Sequence, residues 1–101
     1  MHDLTGLQRD VLIVVSGAPA ISGTDVKQEL NEYYTDDVTD GGVYGALKIL
    51  ENKGLLEKST DTPGANTYQL TRRGEQTLAT HSKWWNQTAS KDLYKPRASF
   101  L

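Results

Sequence analysis

Apolar residues return every three or four positions along the first half of the chain, the spacing of amphipathic helices. Set at about 100° per residue, Leu4, Leu7, Val11, Val14, Val15 and Ala18 fall on one stripe, which predicts a helix over 5–17. Thr5 with Gln8 three residues on reads as a capping box at its start. Leu12 and Ile13 leave the stripe, Ile13 nearly opposite it. A helix apolar on both sides is either central or shared with a second subunit. In so short a chain the second subunit is favoured, the alternative being that the chain's own C-terminus covers Ile13. Pro19 breaks this helix. Ser22 then reads as an N-cap, with Asp25 three residues on and Ile21 able to staple against Val26. The second helix is expected to reach about Tyr34, burying Val26, Leu30, Tyr33 and Tyr34 and leaving Asp25, Lys27, Gln28, Asn31 and Glu32 in water.

After a polar, acidic connection the third helix is expected from Thr39 to Asn52, with Gly54 as a left-handed residue just past its end. Val43, Ala46, Leu47 and Leu50 form its core stripe, and Gly41, Tyr44, Gly45, Lys48 and Asn52 the opposite face. Residues 55–59 read as a strand, Pro63-Gly64 as a turn and 67–70 as the returning strand. Strands this short must pack on the helices. Thr71 caps a fourth helix from Arg72 to Asn86 or beyond, sparsely apolar at Leu78, Ala79, Trp84 and Trp85. A helix pair followed by a hairpin is the outline of a winged helix-turn-helix: mainly α with a small β-hairpin, one domain over 1–88 and a C-terminal tail over 89–101. In that fold the second helix of the pair enters the DNA major groove.

A chain of 101 residues with 37% hydrophobic and 24% charged content supports one core. The net charge of −2 is unusual for a small DNA-binding domain, lowers the expectation of tight non-specific binding, and suits work at high salt. The absence of cysteine removes disulfides, thiolate metal sites and thiol redox switching. No apolar run approaches a membrane span, and Asp3 and Asp10 flank the first apolar stretch where a secretory signal would be basic, so a cytoplasmic protein is expected. Enzymatic chemistry finds little support. His2 and His81 are the only histidines, no nucleophile motif or phosphate loop is present, and Asp36, Asp37 and Asp40 lack the Gly and terminal Glu of a calcium loop. Neither a metal nor a cofactor is expected.

The exposed face of the third helix is the main candidate. Gly41, Gly42 and Gly45 each cost a helix about 1 kcal/mol relative to Ala, so their presence asks for a reason. Close approach of another backbone is one, with the amides from Thr39 to Gly42 facing a phosphate. Tyr44 then serves a phosphate or the groove edge, and Lys48 a guanine edge or a phosphate. The alternative is tight helix packing inside the domain with Tyr44 half-buried. In the hairpin, Lys58, Thr60, Asn66 and Thr67 are candidate contacts, but the tip carries Asp61 and no basic residue, so the wing either touches DNA or only completes the fold. Arg72 and Arg73 are unfavourable cations at a helix start unless a phosphate or Glu75 balances them. Trp84 and Trp85 point about 100° apart, which suits one ring on the domain and one on a partner chain, or tail residues over the second ring.

Residues 5–80 resemble the PadR family of winged helix transcriptional regulators. The resemblance rests on Gly41-Gly42-Val43-Tyr44-Gly45-Ala46-Leu47-Lys48-Ile49-Leu50, on Lys53-Gly54-Leu55-Leu56, and on Tyr68-Gln69-Leu70-Thr71-Arg72-Arg73-Gly74-Glu75. The opening Leu4-Thr5-Gly6-Leu7-Gln8-Arg9-Asp10-Val11-Leu12 is similar to compact versions from halophilic archaea. The resemblance implies a homodimer that represses or activates transcription. Helix 39–52 would read DNA, with Tyr44 as the family's tyrosine, and hairpin 55–70 would be the wing. The first and last helices would build the dimer through Leu12, Ile13, Leu78, His81, Trp84 and Trp85. Two copies of the reading helix about 34 Å apart would match a pseudo-palindromic operator. Three departures stand out: Gly45 where a proline or another residue is usual, Asp40 in the first helical turn, and the bare wing tip. The short fourth helix, as in minimal family members, implies little room for a large ligand-binding domain and leaves open a small pocket at the dimer interface for an effector of unspecified chemistry. A second reading makes the domain a protein-interaction module, in keeping with Asp36-Asp37, the net charge and the wing.

Overall fold

The computed structural model describes residues 3–62 and 65–89. It contains α1 (Gly6–Ser16), β1 (Ile21–Ser22), α2 (Gly23–Tyr33), α3 (Asp40–Asn52), β2 (Leu56–Thr62), β3 (Ala65–Leu70) and α4 (Arg72–Ala89). The Pro63-Gly64 turn and the expected tail from Ser90 onward lie outside the described residues.

Each helix begins on a hydroxyl side chain that takes an otherwise unpartnered backbone N–H. Gln8 N donates to Thr5 Oγ1 at 3.2 Å while Thr5 N donates back to Gln8 Oε1 at 3.1 Å, the reciprocal box expected. Asp25 N donates to Ser22 at 3.1 Å, Gly42 N to Thr39 at 2.9 Å, and Gly74 N to Thr71 at 3.1 Å. Such caps are worth about 1 kcal/mol each. The end of α3 is equally local. Gly54 sits at φ 78°, Gly54 N donates to Glu51 O at 2.9 Å and Leu55 N to Leu50 O at 3.0 Å. That pair of bonds is a Schellman closure, and it places buried Leu55 beside buried Leu50.

The sheet has three strands in the order β1-β3-β2, all antiparallel, where only the hairpin was expected. Ile21 pairs with Tyr68 and Ser22 with Thr67, so β3 is central and Tyr68 is buried between neighbours on both sides. A two-residue strand shows no periodicity, and 18–21 therefore reads as a turn from sequence. Between Ser59 and Thr62 the β2 register slips by one residue, a bulge near the hairpin end.

The core draws Val11, Leu12 and Val15 from α1, Val26 and Leu30 from α2, Val43, Ala46, Leu47 and Leu50 from α3, and Leu55, Leu56 and Tyr68 from the hairpin. The four α3 residues are the predicted stripe. In α1 the outcome differs from expectation. This helix touches α2, α3, β3 and α4, so it is the central helix of the domain. Leu12 is consequently enclosed by its own chain, 0% exposed, and has no surface left for a partner; it is withdrawn from the proposed interface. Ile13 alone stays open, at 44%. Tyr33, expected in the core, is 81% exposed. The helix stops there because Tyr34, the C-cap, turns to extended backbone (φ −84°, ψ 148°), and the Tyr34 hydroxyl donates back to Asp10 on α1. Burial and that bond push the Tyr34 phenol up to about 12. Asn31, expected in water, instead accepts the Val38 amide at 2.9 Å and fixes the turn between α2 and α3.

Candidate nucleic-acid interface

The outward face of α3 carries Gly41, Tyr44, Gly45, Lys48 and Ile49, all exposed, with the Thr39 cap at its leading end. The three glycines separate by role. A side chain added at Gly42 would stand 3.0 Å from the Thr39 hydroxyl and 3.6 Å from Leu7, so this glycine serves the cap and the packing on α1. At Gly41 and Gly45 nothing lies within 4 Å. Internal packing does not account for these two, and the helix is left with a shallow, side-chain-free stretch on either side of Tyr44.

Tyr44 is 44% exposed because its ring rests on α2. A Cβ at Gly23 would lie 2.7 Å from the Tyr44 ring Cζ and hydroxyl, so only glycine leaves space for the ring there. One turn along each helix, Lys27 Nζ meets Asp40 Oδ1 at 2.9 Å. The Asp40 carboxylate, bonded to it, holds the Lys27 ammonium above its ordinary pKa, with Asp37 and Tyr44 adding to the effect. Gly23–Tyr44 and Lys27–Asp40 thus form two rungs between α2 and α3. Neither Gly23 nor Lys27 was a sequence candidate; both sit at i, i+4 spacing on α2, which flags a shared face but not what faces it.

The other candidates are spread out. Along β3 side chains alternate, and Tyr68 faces the core, so Asn66 shares its side and Thr67 takes the other. Lys58 pairs with Tyr68 and so joins Asn66, whereas Thr67 stands between Ser22 and Ser59 on the far face. Arg72 and Arg73 are exposed. Arg73 runs past Gly54, its Nη1 3.9 Å from where a Cβ there would stand, and lines a depression with Asn52, Lys53 and Asp3. It therefore lies at the C-terminal end of α3, away from Tyr44, where a cation suits the helix dipole. Its presence at the start of α4 needs no phosphate.

A second exposed surface lies between α1, the end of α2 and α4. Ile13, Tyr33, Leu78, His81, Trp84 and Trp85, with Arg9 and Asp10, line a groove of about 600 Å³. Trp84 and Trp85 are 55% and 53% exposed, so neither ring is fully taken up by the described chain, and His81 stacks on Trp84 at 5.9 Å. Five of the six residues expected at a dimer contact come together here; Leu12 does not.

Among the described residues no helix is long and apolar enough to cross a membrane, and no three His, Asp or Glu side chains converge to hold a metal.

Comparison with known proteins gives these features a context. RosR of H. salinarum, in crystals grown from NaBr, is 40% identical to this chain, superposes with a TM-score of 0.77, and matches 90% of this chain and 79% of its own. A second structure, of a complex of the same RosR, is 35% identical with a TM-score of 0.83, over 97% and 87% of the two chains. FabT of Streptococcus pneumoniae, solved in complex with DNA, shares the fold at 24% identity with a TM-score of 0.73, over 92% of this chain and 62% of its own. No curated protein matches by sequence. The model of the transcriptional regulator PadR-like family matches residues 11–80, a stretch that holds α2, α3, the hairpin and the start of α4. This chain belongs to the PadR-like family of winged helix transcriptional regulators.

Proposed function

We propose that the protein is a dimeric, sequence-specific DNA-binding regulator that acts in the cytoplasm, with α3 in the major groove, the β2–β3 hairpin as wing, and residues 1–88 as the working unit to which 89–101 is a tail. The observation that carries this is the outward face of α3: Tyr44 stands exposed between Gly41 and Gly45, whose open side-chain positions no internal neighbour explains, and exposed Lys48 follows one turn on. Gly41 and Gly45 let the helix come close to a DNA backbone, Thr39 with Gly42 fixes its leading end, Tyr44 and Lys48 supply the side chains, and Lys58 and Asn66 extend the contact along the hairpin. Thr67, on the other side of the hairpin from Lys58 and Asn66, and Arg73, at the C-terminal end of α3, are weaker members. The solved complex of FabT with DNA gives a precedent on the same fold. The test is selection of duplexes from a random-sequence pool. Enrichment of a two-fold symmetric motif supports the reading, and a folded protein that enriches nothing contradicts it.

The glycines yield a sign-reversing prediction. Gly45→Ala should stabilise the fold by about 1 kcal/mol, raising the thermal midpoint by about 4–8 °C, because the new methyl meets nothing and the helix gains propensity. The same methyl should weaken binding to the selected duplex. Thermal unfolding and titration of one sample check both.

Dimerisation is assigned to the α1–α4 groove, through Ile13, Leu78, His81, Trp84 and Trp85. Half-open tryptophans beside Ile13 are the apolar, aromatic make-up of an interface core. Light scattering should give twice the 11.2 kDa chain mass. Ile13→Asp with Trp85→Asp should give the single chain and weaken operator binding at least about 100-fold, since two linked half-sites are lost. A wild-type monomer would remove this part of the proposal.

The second reading, a protein-interaction module, draws on Asp36, Asp37 and Asp40 at the edge of the same face. It predicts that the duplex selection fails.

A further inference from the structure

The beginning of α3 already holds an anion of its own. A phosphate docking there would seek two things: the positive end of the helix and a nearby cation. Asp40, the first residue of α3, lies at that end, and its carboxylate is bonded to Lys27 at 2.9 Å. One further amide of this turn, that of Gly42, is spent on the Thr39 hydroxyl. Asp40 is well exposed, its side chain 75% accessible, while the Lys27 side chain is 33% accessible. Asp37 and Tyr44 are the other titratable groups acting on Lys27. The pair is on the rung next to Gly23–Tyr44, so whatever Tyr44 touches, Lys27 is within a turn of it.

We propose that Lys27 is a DNA-phosphate contact held in reserve by Asp40, and that the carboxylate acts as a built-in competitor for the phosphate. The inference rests on α3 being the DNA-reading helix. A lysine already paired with a carboxylate releases no counterion when DNA arrives, and the carboxylate repels the backbone. Both effects make binding weaker at low salt and flatter as salt rises. At about 1 M salt the screening length falls to about 3 Å, the repulsion fades, and binding depends on the short-range contacts of Tyr44 and Lys48. The pair thereby trades non-specific attraction for selectivity.

The experiment titrates a duplex enriched from a random pool with wild type, Asp40→Asn, and Asp40→Asn/Lys27→Gln, from about 0.1 M to about 1 M salt. Thr39 still caps the helix in each variant, and unfolding curves recorded alongside should match within a few degrees. Freed Lys27 should add one phosphate contact per protomer, which steepens the slope of log K against log salt by about 1.8 for a dimer. Asp40→Asn should therefore bind up to about 60-fold tighter at about 0.1 M and no tighter at about 1 M. The double variant, which lacks the lysine but also the repelling carboxylate, should be clearly less steep than Asp40→Asn. An unchanged slope in Asp40→Asn overturns the inference, as does a double variant as steep as Asp40→Asn. Tyr44→Ala on the same duplex separates the two levels: if it weakens binding while Asp40→Asn changes nothing, the reading helix stands and only the reserve lysine falls. Should Tyr44→Ala bind like wild type, the reading itself fails.

Discussion

Gly74→Ala should destabilise the domain by about 2–3 kcal/mol and lower its thermal midpoint by roughly 10–20 °C. Gly74 lies in the first turn of α4, where its Cα presses against the Leu55 backbone. An added Cβ would strike the Leu55 carbonyl oxygen, with Leu70 Cδ2 at 3.1 Å and the Leu55 carbonyl carbon at 3.2 Å also in the way. The backbone there has no freedom to yield. Thr71 N donates to that same Leu55 carbonyl at 3.1 Å, the Thr71 hydroxyl donates to Gly54 O at 2.6 Å, and Thr71 Oγ1 accepts from Gly74 N. One threonine thus ties the end of α3 to the beginning of α4, and a methyl at 74 forces the knot open. Circular dichroism melts of Gly74→Ala and Gly45→Ala make a matched pair: one substitution type, one helix-forming preference, opposite signs. A Gly74→Ala midpoint within a degree or two of wild type would contradict the close contact.

Tyr44→Ala/Lys48→Ala should abolish selective DNA binding while leaving the fold intact. Each specific contact is worth about 1–3 kcal/mol, so the pair loses at least about 2 kcal/mol per protomer. In a dimer that doubles, giving a loss on the order of 1,000-fold for the selected duplex. The two residues should differ in kind. Lys48, if it reaches a phosphate, lowers the salt slope when removed and weakens all duplexes alike; if it reads a guanine, it relaxes one position of the motif. Tyr44 rests on Gly23, so its removal also costs some packing, and the unfolding curve should move by only a few degrees. Binding that survives the double variant would point away from α3 as the contact.

What could be read from sequence was whatever is local. Thr5 with Gln8, Ser22 with Asp25, Thr71 at the start of α4, and Gly54 after Leu50 each bring donor and acceptor together within a turn or two, so residue type and spacing suffice. The α3 stripe was legible for the same reason: 3.6-residue periodicity decides which face is buried once a core exists. What failed was set by other parts of the chain. Ile21 joins the sheet only because Tyr68 is there to pair with it. Leu12 is covered because α1 ends up central, with neighbours on both sides. Tyr33 is left outside because the backbone at Tyr34 turns back toward Asp10. The candidate site divides along the same line. Tyr44 and Lys48 were visible from one helix, but their supports, Gly23 and Lys27, follow from how α2 crosses α3. Likewise the place of Arg73, over Gly54 at the end of α3, follows from how α4 meets α3.

The most direct test of the central claim uses the absence of cysteine in this chain. Ile49→Cys places a single thiol on the outward face of α3, at an exposed position beside the proposed contacts. A DNA-cleaving iron chelate attached there, in a complex formed on the selected duplex, should cut at two places in the major groove about one helical turn apart. The same reagent on Gln76→Cys, an exposed position on α4 outside the proposed dimer groove, should not cut. Cleavage from position 76 and none from position 49, in a protein that still binds, would show that a different surface meets the DNA.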